Sequence, residues 1–158
     1  MSLSLRAFAR IFLCLLLVPP AHVLAGEAID GDWKLNLAKS KYDPGPPPKS
    51  FSRTYRTEGE MQTITIKGVG SDGESVSSHA SYRLDGKDYP VTGNPSIDTV
   101  AWTKVDGRSA RGVTKLKGKT VTEMRRELSA DGKTLTITMK GKTRDGRPMS
   151  NVVVFDRK

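Results

Sequence analysis

The sequence predicts an all-β fold, a single antiparallel up-and-down β-barrel of about eight to ten strands. Three observations carry this expectation. Asp-Gly pairs punctuate the chain at 72–73, 85–86, 106–107, 131–132 and 145–146, with Glu58-Gly59 and Lys117-Gly118 in equivalent gaps. Such pairs suit tight hairpins, because both central residues of the commonest two-residue turn need positive φ, which Gly accepts freely and Asp tolerates. The runs between them alternate apolar and polar with period two, as in Leu135-Thr-Ile-Thr-Met139 and, nearly, Met61-Gln-Thr-Ile-Thr-Ile66. Alternation turns one face of a strand inward and the other to water. The chain is also the length of one domain, so one core can carry it.

Taken from its start, the chain opens with Arg6 and Arg10, the apolar run Ile11–Val18, Pro19-Pro20 and Val23-Leu24-Ala25. That order reads as a cleaved export signal over residues 1–25; the apolar run is shorter than the roughly 20 residues that span a bilayer. The domain then covers 26–158, and the expected location is outside the cytoplasm, periplasmic or extracellular. Cys14 leaves with the signal, so no disulfide staples the 133 residues that remain. Removing Arg6 and Arg10 from the formal charge of +9 leaves +7. This excess could favour an anionic envelope surface, but acids are interspersed with the bases, as in Glu123-Met-Arg-Arg-Glu127, and export argues against nucleic acid as a partner.

Strands are expected at 31–37, 51–57, 61–69, 75–84, 87–91, 97–105, 109–116, 119–128, 133–142 and 149–156. Closing these into a barrel removes exposed edges, with a two-sheet sandwich as the rival arrangement. Asn36–Tyr42 can form a helical turn or two capped by Asn36. Asp43-Pro-Gly-Pro-Pro-Pro-Lys49 has to run as an extended connector, since proline lacks the donor and has a fixed φ. Pro90, Gly93 and Pro95 impose a bend near the middle of the chain.

Gly31-Asp-Trp-Lys-Leu-Asn-Leu-Ala-Lys-Ser40, the Pro-rich crossing, Gly86-Lys-Asp-Tyr-Pro-Val-Thr-Gly-Asn-Pro95 and Val153-Val-Phe-Asp-Arg157 together resemble a family of small exported bacterial lipocalin-like proteins. The resemblance spans the domain and implies a barrel with an internal cavity. It also implies that Trp33 of Gly-x-Trp packs at the closed end with Arg157 over its ring, a structural pair that seals the barrel. The helical lid of fatty-acid-binding proteins has no counterpart in the short Asn36–Tyr42 stretch. One barrel fold serves many functions, so the resemblance leaves the ligand open.

No metal site or cofactor is expected, because His79 is the one histidine after residue 25 and transition metals need three or four suitable ligands. Alternation turns His79 to water, away from Val76, Ser78, Ala80 and Tyr82. No Gly-x-Ser-x-Gly elbow accompanies it, and no catalytic residue is assigned, so the protein reads as a non-enzyme. The expected function is to bind or carry a small apolar or amphipathic ligand, as a monomer. The alternative is a filled barrel acting through its surface, as an interaction or inhibitor module of the cell envelope.

A ligand site follows from facing. In Lys119–Leu128 the apolar Met124 and Leu128 share a side with Arg126, so the core-facing choice carries Arg126 inward. Such a charge must meet an internal acid, water or a bound anion. Tyr82 and Tyr55 are the polar-tipped walls expected beside it. The candidate ligand-binding set is therefore Arg126, Met124, Leu128, Tyr82 and Tyr55, with Arg126 placed to anchor an acidic head or to pair with an acid or water at the barrel end.

Overall fold

The computed structural model describes residues 27–143 and 145–158; the expected signal and its cleavage point lie outside them. Ten strands follow one another: β1 (Gly31–Leu35), β2 (Ser50–Glu58), β3 (Met61–Val69), β4 (Ser75–Tyr82), β5 (Tyr89–Thr92), β6 (Thr99–Lys104), β7 (Ser109–Leu116), β8 (Lys119–Leu128), β9 (Thr134–Lys142) and β10 (Pro148–Arg157). Each pairs antiparallel with the next, and β1 pairs with β10 to close a barrel. The arrangement is a single closed barrel, not a two-sheet sandwich. Closure leaves no terminal edge strand among the described residues.

The Asp-Gly pairs mark the turns by a different geometry from the expected one. Among the described residues, both central residues have positive φ only at Lys117 (φ 50) and Gly118 (φ 74). At the Asp-Gly pairs the glycine alone turns over, as at Gly73 (φ 92) and Gly132 (φ 68), and Gly107 does not. The aspartate instead accepts from the backbone N–H two residues on: Asp72 from Glu74 at 3.0 Å, Asp85 from Lys87 at 3.0 Å, Asp106 from Arg108 at 2.7 Å and Asp131 from Lys133 at 3.0 Å. These are Asx turns, in which the carboxylate satisfies a donor that the ladder leaves free.

At the upper end, where β1 finishes and β2 begins, Asn36 caps the 3-10 turn Leu37–Lys39 by accepting from the N–H of Lys39 at 3.1 Å. The Pro-rich crossing then starts along β10: Ser150 donates to the Asp43 carbonyl at 2.7 Å, and the Asp43 N–H donates to Oδ1 of Asn151 at 2.9 Å. β5 is the weak stave of the barrel. Its four residues pair through two positions with each neighbour, because Pro90 lacks a ladder donor and Gly93 (φ 76) turns the chain away.

The lower end is filled. Trp33, Tyr55, Tyr82, Phe155, Leu135, Ile137 and Gln62 are fully buried there, which removes most of their apolar area from water. The guanidinium of Arg157 lies 4.3 Å from the Trp33 ring and donates to the carbonyls of Gly132, Asp30 and Ala28 at 2.7, 2.5 and 2.7 Å. The Trp33 indole N–H donates to the Ile29 carbonyl at 2.9 Å. The segment before β1 is thus tied across the barrel's foot. On the wall above, Gly112 of β7 faces Trp102 of β6, and a Cβ there would come within 2.6 Å of the indole. The glycine makes the space the ring occupies.

Candidate functional site: a cavity in the upper barrel

Alternation sends one set of side chains inward from every strand, and these change character along the barrel axis. In the lower half they are large and interlocked. In the upper half they are shorter, and a cavity of about 330 Å³ remains. Ile64, Ile66, Val91, Val100, Met124 and Met139 form its walls, with Ser78 and Thr114 among them. Tyr82 and Trp102, stacked with centroids 6.2 Å apart, form its floor. Asn94 and Ile97 of the β5–β6 loop, Val121, Lys142 and Met149 stand around its mouth.

A buried polar layer supports the floor from below. Arg126 is 4% exposed, its guanidinium 4.8 Å from the Trp102 ring and 5.5 Å from the Tyr55 ring. Its Nη1 donates to the Tyr82 hydroxyl at 2.9 Å, and that hydroxyl donates to Oε1 of Gln62 at 3.1 Å. The chain continues from Nε2 of Gln62 to Oγ1 of Thr57 at 3.3 Å, which donates to Oδ1 of Asp30 at 2.7 Å. A guanidinium buried without a carboxylate in contact is thereby linked, through neutral dipoles, to an acid at the barrel's foot. Burial pushes the Tyr82 hydroxyl above the usual phenol range, and the charge of Arg126 only partly offsets this.

Of the five residues that the sequence assigned to a ligand, Tyr82 and Met124 line the cavity. Tyr55, Arg126 and Leu128 lie in the layer beneath it, where Arg126 and Leu128 border a recess of about 20 Å³ at the closed end. Two cations do line the cavity, Lys142 exposed at the mouth and Arg53 half-buried in the wall. The Cζ of Arg53 sits 5.0 Å from the Phe155 ring, its Nε is enclosed with no hydrogen-bond partner, and no ion pair among the described residues includes it. Arg53 shares the facing of Phe51 and Tyr55 on β2, so the alternation that placed Tyr55 inward was also a signal for Arg53. Trp102 was likewise unassigned.

Other places in the molecule offer less. His79 is exposed, its Nδ1 3.3 Å from Oγ1 of Thr65. A cleft of about 490 Å³ lies outside the lower end among Glu27, Glu60, Arg83, Asp85 and Lys104. Four of these charges already pair, Arg83 with Glu60 at 3.7 Å and Lys104 with Glu27 at 3.2 Å, exposed pairs of a kind that contribute little, and Asp85 accepts from the Lys87 N–H and the Tyr89 hydroxyl.

The site defines the class: a closed ten-stranded barrel, sealed at one end and hollow at the other. No family model matches the chain, and no curated protein does. Among solved structures it is similar to a redesigned β-barrel, mFAP1, bound to DFHBI, with 12% identity over 82% of this chain and 95% of that one and a TM-score of 0.41. A second, mFAP0 bound to DFHBI, has 12% identity, covers 82% and 99%, and scores 0.39. The function has to be read from this chain's own geometry.

Proposed function

We propose that the protein is exported and holds a small apolar or amphipathic molecule in the upper barrel. The observation that supports this reading is the cavity of about 330 Å³, with mostly apolar walls, a mouth at one end and a sealed foot at the other. Its size and lining are those of small-molecule sites, which bury most of a ligand against apolar walls and orient it with a few polar groups. The role is binding, not catalysis. The polar side chains lining the cavity are chiefly hydroxyls, amides and cations, without the carboxylate or imidazole that usually serves as a proton-transfer group near neutral pH. Closure also leaves no terminal edge strand among the described residues for a second copy to extend, which favours a monomer.

The neutral fluorophore N-phenyl-1-naphthylamine tests this. With residues 26–158 it should show saturable, blue-shifted emission at one site per chain, and Ala80→Trp, which fills the cavity, should abolish the signal while the β-type circular dichroism persists. Emission that never saturates, or that survives Ala80→Trp, overturns the reading.

A further inference from the structure

We infer that the cavity is an anion site as well as an apolar one, and that Arg53 is its recognising residue: the ligand is an organic carboxylate whose head pairs with Arg53 while its apolar body fills the space toward the mouth. This rests on the reading of the cavity as a binding site.

Of the charged groups near the cavity, Arg53 is the one left unanswered. Arg126 is committed to the Tyr82 hydroxyl and to two aromatic faces, and Lys142 stands exposed at the mouth, where water solvates it. Arg53 is half-buried in an apolar wall, with an enclosed and unpartnered Nε. A desolvated charge is costly without a partner, and a carboxylate entering the cavity would supply one. The register sets the depth: Arg53 lies opposite Trp33 on β1 and Ile66 on β3, part-way down the barrel and above the Tyr55 level. The Phe155 ring packs against the guanidinium, whose fork can donate paired hydrogen bonds to a carboxylate. From that point the space runs upward past Ile66, Val91 and Met139 to Ile97 and Met149. The head therefore goes in first and the apolar tail points to the mouth.

The test compares decanoate with decanol as competitors for bound N-phenyl-1-naphthylamine at neutral pH, since the two share a tail and differ in the charged head. Decanoate should displace the fluorophore from the wild-type protein at about ten- to a hundredfold lower concentration, the range expected for a charge-assisted hydrogen-bonded pair. Arg53→Met should erase that preference and leave decanol unchanged, and Lys142→Ala should leave the preference in place. Equal competition by the two in wild type overturns the inference, as does a preference that survives Arg53→Met or disappears with Lys142→Ala. Should Arg53→Met not fold, the wild-type comparison and Lys142→Ala decide the matter. Failure of the fluorophore to bind at all is a different result, which removes the cavity reading itself.

Discussion

Arg53, Arg126 and Arg157 all reach the barrel interior or its ends, and their surroundings assign them different work. Arg126 is held by a hydroxyl and two rings, Arg53 faces the cavity, and Arg157 closes the foot. Arg157 combines the Trp33 ring at 4.3 Å with three backbone carbonyls from two separate segments. A cation over an indole is worth about 0.5–2 kcal/mol, and each charged hydrogen bond adds about 1.5 kcal/mol or more, less whatever water recovers. Arg157→Ala should therefore lower stability by about 2–4 kcal/mol, more than the ring contact alone would cost. Urea unfolding measures this, and Trp33 emission in a Trp102→Phe background should shift with it. An unchanged midpoint would mean that the carbonyls are equally well served by water.

At the scale of the elements, the hairpins carry a pH dependence. In the β8–β9 turn, Asp131 accepts from the Ser129 hydroxyl at 2.6 Å and from the Lys133 N–H at 3.0 Å. These bonds, that from Ser129 first, hold its carboxyl below the ordinary value of 3.8. Asp32, Asp85, Asp106, Asp145 and Asp156 are lowered in the same way, each by a bond from a neighbouring hydroxyl, amide or backbone N–H. A depressed folded pKa stabilises the fold at pH above the unfolded value, and that contribution is lost as pH falls through the folded one. The urea midpoint should thus decline as pH drops below about 4. Asp131→Ala should lower the midpoint at neutral pH and flatten the acid decline, and an acid limb identical to wild type would show that this turn does not contribute. All ten strands were legible as windows in the sequence because alternation and turn residues are local signals. The turn geometry was not: Asp-Gly fits a turn with two positive φ values, or an Asx turn with one, and the register of the flanking strands selects between them.

For the whole molecule, the outstanding proposal is export. Envelope material should have an intact mass corresponding to a start at Gly26, and a mass retaining residues 1–25 would overturn it. That form contains no cysteine, so its urea midpoint should not move with reducing agent. The sequence alone determined that the chain is all-β, where its strands lie and, where alternation is clean, which side of a strand turns inward, including the inward facing of Arg126, Met124, Tyr82 and Tyr55. These follow from period-two alternation and turn chemistry, which depend on neighbours in the chain. Tertiary structure alone decided depth. Facing says that Arg126 and Arg53 both point inward, but the stagger of ten paired strands sets Arg126 beneath the Tyr82–Trp102 floor and Arg53 beside the open space. Height along a barrel is a property of the closed register, to which every strand contributes and which no single segment encodes.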